Sequence, residues 1–347
     1  MQVFKENVNR KKLLLFNLMP DSIIYRENAP AQMVFPNGDK FNTACVGCKS
    51  PACMYYDDNE IECSNLPDFP NDKSTEVCPV NAIEWDFTTE TPKIDNSKCL
   101  DCGLCIKRCP FGALYYDGTV KVVSEKSKYQ EVVAATHDNF AKQREQSNTI
   151  SSLDRKGCFI RESDTLLTSI YDKLASLRSN DHNTVVRNLF IGLNCSCAMR
   201  RIGDVYTRMD AVYLSETNSF GAIEVEFGKD TLDASRGILD DIAVLNTRYG
   251  VHKNDNMAVV VCLQLPNARQ GYWQVVKDIF TVENIQINTI TVGALLILLW
   301  NHKQFDPADF SYYVDYDDMD IRGILESHIG RKINLSDKLL GILEPIK

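Results

Sequence analysis

The chain has 347 residues, 44% of them hydrophobic, and a formal net charge of −9. That length exceeds what one core comfortably fills, so two domains are expected, and the net acidity excludes a surface coated throughout for nucleic acid. Nine of the 13 cysteines fall between Cys45 and Cys109, mostly at ligand spacing and with no signal peptide before them, so a disulfide framework is excluded and a reducing cytoplasm is expected.

Residues 1–39 form an N-terminal extension in which Arg10, Lys11 and Lys12 precede an apolar run, Leu13 to Phe16, of strand type. Residues 40–126 carry the strongest signal in the chain. Cys99, Cys102 and Cys105 stand at two-residue gaps, and Cys109 follows three residues on with Pro110 behind it. This spacing wraps one cubane iron–sulfur cluster and lends its last cysteine to a second. Zinc knuckles instead use two separated pairs of ligands. The stretch also contains an internal repeat: Cys78-Pro-Val-Asn-Ala-Ile-Glu-Trp-Asp86 aligns with Cys109-Pro-Phe-Gly-Ala-Leu-Tyr-Tyr-Asp117. Duplication is what a two-cluster domain needs, because each half supplies three ligands to its own cluster and one to the other.

On these residues the stretch resembles the bacterial-type two-[4Fe-4S] ferredoxin family. The resemblance implies one cluster held by Cys99, Cys102, Cys105 and Cys78, and another held by Cys45, Cys48, Cys53 and Cys109. The first half departs from the family pattern, with four residues between Cys48 and Cys53 and an insertion holding Cys63 before Cys78. Cys53 or Cys63 is therefore the third ligand, the shorter loop favouring Cys53, and a damaged or three-iron cluster is the remaining alternative.

Asp117-Gly118 reads as a hairpin turn into a strand from Thr119 to Val123. Residues 127–154 are read as a polar helix, Ser127 to Gln146, and a linker, Ser147 to Ser152. Residues 155–305 then alternate in α/β fashion. Asp164 is placed to cap a helix bearing Leu166, Leu167, Ile170, Leu174 and Leu177, and an apolar segment follows from Val185 to Leu193. Cys195 and Cys197 read as packed thiols. Strands are expected over 208–214 and 222–227, with Asn218 and Gly221 in the turn between them. A helix over 231–249 stops at Gly250, and a continuous apolar run, Met257 to Leu263, suits a strand buried on both faces. A helix over 268–280, a strand over 285–290 and a buried helix to Trp300 complete a sheet flanked by helices. The apolar run from Thr289 to Trp300 is shorter than the roughly 20 residues that cross a bilayer, so no membrane association is expected.

Strand alternation puts Glu224 and Glu226 on one face and Ile223, Val225 and Phe227 on the other, with Asp210 at the start of the preceding strand. Converging carboxylates make a hard-oxygen site suited to Mg²⁺ or Mn²⁺. The competing reading makes both glutamates the wet face of a half-exposed strand. Over residues 155–300 the order of elements resembles the PD-(D/E)xK nuclease superfamily, the restriction-endonuclease fold. By that resemblance Asp210 and Glu224 bind the metal, Glu226 stands where the family usually has lysine, Lys229 stands in for the missing base, and Arg200, Arg201 and Arg208 hold phosphates. The segment from Arg155 to Asp204, with Arg187, Arg200 and Arg201, is the basic region where a polyanion would dock. Residues 306–347 open acidic, with six aspartates from Asp306 to Asp320 interleaved with Tyr312, Tyr313 and Tyr316, and read as a solvated surface.

The fold expected is thus α/β and α+β in two domains: a duplicated ferredoxin-type iron–sulfur domain followed by a restriction-endonuclease-like α/β sheet domain. Two functions compete. One is a metal-dependent DNA endonuclease carrying two [4Fe-4S] clusters, by analogy a restriction or phage-defence enzyme with DNA or a defence-system protein as partner and a homodimer to cut both strands. The other is an electron-transfer ferredoxin whose C-terminal domain docks a redox partner.

Overall fold

The computed structural model describes residues 51, 53–87, 91–108, 114–116, 120–122, 164–228, 231–301, 305–309, 312–313, 320–336 and 340–346. Cys45, Cys48, Cys109, Lys229, Tyr316, the strand expected at 13–16, and the helix and linker expected at 127–152 lie outside these residues. The chain divides into two compact units. The first comprises residues 1–57 and 75–160; the second comprises residues 58–74, which carry the short helix α1 (Asp58–Ile61), and residues 161–347. The span 40–126 read from the sequence is therefore interrupted: residues 58–74 belong with the C-terminal unit, as do residues 306–347.

In the first unit the internal repeat becomes two antiparallel hairpins. Strand β1 (Ile83–Asp86) pairs with β2 (Thr91–Ile94), and after helix α2 (Leu104–Arg108) strand β3 (Leu114–Tyr116) pairs with β4 (Val120–Val122). Each hairpin begins five residues after a Cys-Pro step, Cys78 to Ile83 and Cys109 to Leu114. Among the described residues of this unit Met54, Tyr56, Val77, Ala82, Leu100, Leu104, Ile106 and Leu114 are all buried. Arg108 joins them with its guanidinium 4.5 Å from the centre of the Tyr56 ring, a cation–π contact that lets a buried cation sit among apolar groups.

The second unit is built on a five-stranded mixed sheet in the order β5–β6–β7–β8–β9: Ser196–Met199, Ala211–Leu214, Phe220–Glu226, Ala258–Cys262 and Ile287–Thr291. The first three strands run antiparallel and the last three parallel, with helices supplying the crossovers that parallel neighbours require. Helix α3 (Leu166–Ala175) leads into α4 (Ser179–Gly192), which packs on β5, β6 and β7. Helix α5 (Leu232–Tyr249) packs on β7 and β8 and ends at Gly250, whose φ of 72° is the left-handed stop expected there. Helices α6 (Gly271–Glu283), α7 (Val292–Trp300) and α8 (Arg322–Ile329) complete the unit. Strand β8 is buried at all five positions, as its run of valines requires, and every residue of α7 is buried as well. No helix among the described residues is long and apolar enough to cross a membrane.

Four expectations are corrected by tertiary partners. Asp164 does not cap α3 with its side chain; its carboxylate instead takes both Nη atoms of Arg331 at 2.8 Å and the Asn334 N–H at 2.7 Å. Gly221 is not in the turn but inside β7, where a Cβ would meet the Met257 carbonyl oxygen at 2.1 Å. Asn218, with a φ of 64°, carries the turn. Tyr312 and Tyr313 are not solvated: both are buried, Tyr312 stacks on His328, and the Tyr313 hydroxyl donates to the Pro307 carbonyl.

Arg187 is the fourth correction, because it is fully buried and unavailable to a polyanion. Its Nη1 donates to the Ser74 carbonyl at 3.0 Å and to Ser74 Oγ at 3.1 Å, and its Nε donates to Asn188 Oδ1 at 2.9 Å. It therefore anchors the end of the 58–74 segment. The same segment is stitched to β5 by Ser196 Oγ donating to the Asn59 carbonyl and by Asp72 N–H donating to the Met199 carbonyl.

Candidate iron–sulfur site and carboxylate cluster

The loop from Cys99 to Cys105 is shaped by two left-handed residues, Asp101 with a φ of 58° and Gly103 with a φ of 80°. Glycine takes that conformation without penalty and aspartate tolerates it better than most residues, so the sequence permits a tight turn between cysteines. The turn aims backbone donors at sulfur. Asp101 N–H donates to Cys99 Sγ at 3.4 Å, and Ala82 N–H donates to Cys78 Sγ at 3.2 Å. Cys105 then sits in α2, which the loop launches.

The thiols of Cys78, Cys99, Cys102 and Cys105 are close enough to disturb one another. Burial pushes Cys102 upward, and the neighbouring Cys78 and Cys99 sulfurs add to the rise. Burial likewise pushes Cys105 well up, with Cys102, Cys78 and Cys99 contributing. Such a gathering of soft donors is costly as bare thiolates and suits a cationic iron–sulfur core, while the N–H groups aimed at sulfur favour the ligating, deprotonated form. The residues present thus fit a cluster. Among the described residues no group of three or more His, Cys, Asp or Glu side chains closes around a single metal ion.

Of the two contenders for the third ligand in the first half, Cys53 is buried in the first unit. Cys63 lies in the second unit, where its Sγ is 3.4 Å from the Val212 carbonyl and burial pushes it up to about 12. Cys195 and Cys197 are likewise fully buried there.

The second constellation is also brought together, and it contains a residue the sequence reading missed. Asp210 immediately precedes β6, whose last pair with β7 is Ala211 with Ile223. The ladder ends at that pair, and Asp210 Oδ2 takes over by accepting the Val225 N–H at 3.0 Å. Its Oδ1 accepts from Asn183 Nδ2 at 2.8 Å, with Arg200 Nη2 at 3.8 Å. Burial nevertheless raises the Asp210 carboxyl.

Glu224, on β7, is pushed well above the carboxylate range by burial first, then by Asp210, Asp241 and Glu226. Asp241 comes from α5, is 1% exposed, and is pushed up by burial and then by Asp210 and Asp240. Its Oδ2 has no hydrogen-bond partner. Helix α5 approaches this closely because position 237 is glycine: a Cβ there would meet Glu224 Oε1 at 2.6 Å. A glycine inside a helix costs about 1 kcal/mol relative to alanine, so the close approach is bought against propensity. The one signal of Asp241 in the sequence is its spacing of three and four residues from Ile238 and Leu245 on the apolar face of the helix, a weak one. Of the arginines expected to hold phosphate, Arg208 pairs with Asp240 at 2.7 Å, Arg200 donates to the Thr207 carbonyl and faces Asp210, and Arg201 is exposed.

Comparison with known proteins bears on the first site. Residues 75–113 match the model of the 4Fe-4S dicluster domain, a span that includes Cys78, Cys99, Cys102, Cys105 and Cys109. Residues 75–113 are a 4Fe-4S dicluster ferredoxin domain. The chain is 29% identical over 104 residues to a selenate reductase subunit of Mesobacillus selenatarsenatis, covering 29% of this chain and 28% of that protein. It is 33% identical over 60 residues to an uncharacterized ferredoxin of Methanocaldococcus jannaschii, covering 17% of this chain and 34% of that one. The chain thus spans about a third or less of the length of these relatives. No solved structure matches it.

Proposed function

We propose that the protein transfers electrons through two [4Fe-4S] clusters held by its ferredoxin domain, one by Cys78, Cys99, Cys102 and Cys105 and the other by Cys45, Cys48, Cys53 and Cys109. The observation that carries this reading is the match of residues 75–113 to the 4Fe-4S dicluster domain, together with the tight loop from Cys99 to Cys105 and the backbone N–H groups aimed at the Cys78 and Cys99 sulfurs. A [4Fe-4S] cluster supplies one-electron oxidation and reduction; the chain's part is to ligate it, exclude water with Leu100, Leu104 and Ile106, and tune it with N–H···S bonds. The relatives that share the ferredoxin domain include a subunit named for a reductase, which supports a redox protein as partner. The test is anaerobic reduction with dithionite followed by electron paramagnetic resonance. A signal from reduced clusters that disappears on adding a stoichiometric oxidant supports the reading, and a protein that takes up no electrons overturns it.

A second reading concerns the C-terminal unit and rests on the carboxylate cluster. Its support is the order α4–β5–β6–β7–α5–β8, three antiparallel strands followed by a parallel one, with Asp210, just before β6, bonded through its carboxylate to the Val225 N–H beside Glu224 on β7. On that reading Asp210 and Glu224 bind Mg²⁺ or Mn²⁺ and the unit hydrolyses DNA phosphodiesters. Plasmid DNA incubated with either cation and with the wild type, Asp210→Ala or Glu224→Ala tests it. Cleavage lost in both variants supports the hydrolase, and no cleavage by the wild type leaves the unit as a docking module.

A further inference from the structure

In the first unit a cavity of about 320 Å³ opens beside Cys78 and is lined by Tyr55, Glu76, Glu84, Trp85 and Phe87 among others. Of Cys78, Cys99, Cys102 and Cys105, Cys78 is the one that lines it. Three features of this wall go together. Phe87 is 86% exposed, the highest value among the large hydrophobic residues described, and it follows β1 next to Trp85 and lines the cavity together with Tyr55. Among the described residues the ionisable groups in the wall other than Cys78 and Tyr55 are the carboxylates of Glu76 and Glu84. Finally, Cys78, a ligand of the proposed cluster, is part of the cavity wall, so an electron has a short protein path to leave.

We propose that this face is the docking site for a basic redox protein, which seats an apolar side chain against Phe87 and Trp85 and a lysine- or arginine-bearing rim against Glu76 and Glu84. The inference rests on the electron-transfer reading and adds to it the place and the kind of partner. Aromatic side chains with a part-open pocket between them serve as anchors at interfaces, because they bury a large area at small entropic cost. The carboxylates contribute speed of encounter and orientation, so binding is stronger at low ionic strength. Electron balance is one for one: the partner's ferric centre gains one electron and the reduced protein loses one, with dithionite as the original reductant in the test.

The experiment uses the full chain purified anaerobically and cytochrome c, a basic haem protein, as probe. Binding of ferric cytochrome c is measured by calorimetry at low and high salt, for wild type, Phe87→Ser and the double variant Phe87→Ser with Glu84→Gln. Glutamine is chosen because Glu84 faces Lys93 across β1 and β2, where a charge reversal would set like charges opposite each other. The expected result is salt-sensitive binding that weakens at least about tenfold in the double variant. Iron content, and oxidation of the dithionite-reduced protein by ferricyanide, a small acceptor, stay unchanged. Wild type that does not bind at low salt, or variants that bind as tightly as wild type, overturn the proposal. Variants that lose iron or melt earlier also overturn it, since the face is then a packing surface. Failure of the electron-transfer reading is seen separately, as a chain without reducible iron, whatever the calorimetry gives.

Discussion

Asp241→Asn removes one of the carboxyls crowded between β6, β7 and α5, and its effect should depend on pH in a definite direction. Asp241 is 1% exposed, its Oδ2 has no hydrogen-bond partner, and burial together with Asp210 and Asp240 raises it. A carboxyl with a raised pKa holds an extra proton in the folded state. Its contribution to stability is therefore whole below the unfolded pKa and is lost as pH rises towards the folded one. Each pH unit in that window costs about 1.4 kcal/mol. From the ordinary value of 3.8 to an assay near pH 7 the ceiling is about 4 kcal/mol for this group. Rearrangement with Glu224, which is raised by the same crowding, brings the expected gain to about 2 kcal/mol. Urea unfolding followed by tryptophan fluorescence reads the correct unit, since Trp273 and Trp300 are buried in it and only Trp85 lies in the other. The variant should be more stable than wild type at pH 8, with the advantage shrinking by at least about 1 kcal/mol at pH 5.5. A difference that is flat with pH, or a loss that deepens as pH rises, would refute the crowding argument.

Three further outcomes follow from the same geometry. Cys105→Ser should cost one cluster, read as about half the iron and acid-labile sulfide, whereas Cys63→Ser should leave both contents intact. Arg187→Ala should cost about 3 kcal/mol, because it empties a fully buried site and removes the donor to the Ser74 carbonyl and Oγ, and limited proteolysis should then cut within residues 58–74. Gly237→Ala should shift stability by less than about 1 kcal/mol, gaining helix propensity while displacing Glu224, and should remove any cation-induced rise in melting temperature that wild type shows with Mn²⁺ at pH 8.

What the sequence made legible was chemistry at short range. The cysteine spacing and the Cys-Pro repeat are local patterns, and they emerge as a gathered thiol set and two equivalent hairpins. Buried runs were equally plain: the valines of β8 and the leucines of α7 have no polar face to hide. The insertion carrying Cys63 was visible as a departure, but not its meaning, because its partners are more than 100 residues away, as in the hydrogen bond from Ser196 to Asn59. Arg187 looked like surface charge and is an internal anchor for the same reason. Asp210 and Glu224 were found by strand alternation, while Asp241 was hidden because a lone acid on a helix carries no mark of the sheet it will face. Gly237 carries no mark in the sequence either; its role comes from the 2.6 Å at which a Cβ there would meet Glu224 Oε1.

Iron and sulfide content decides whether this chain carries two clusters. Anaerobically purified full-length protein should contain close to eight iron and eight acid-labile sulfide per chain, about what two cubanes require. Zinc in place of iron, or iron without sulfide, would contradict it.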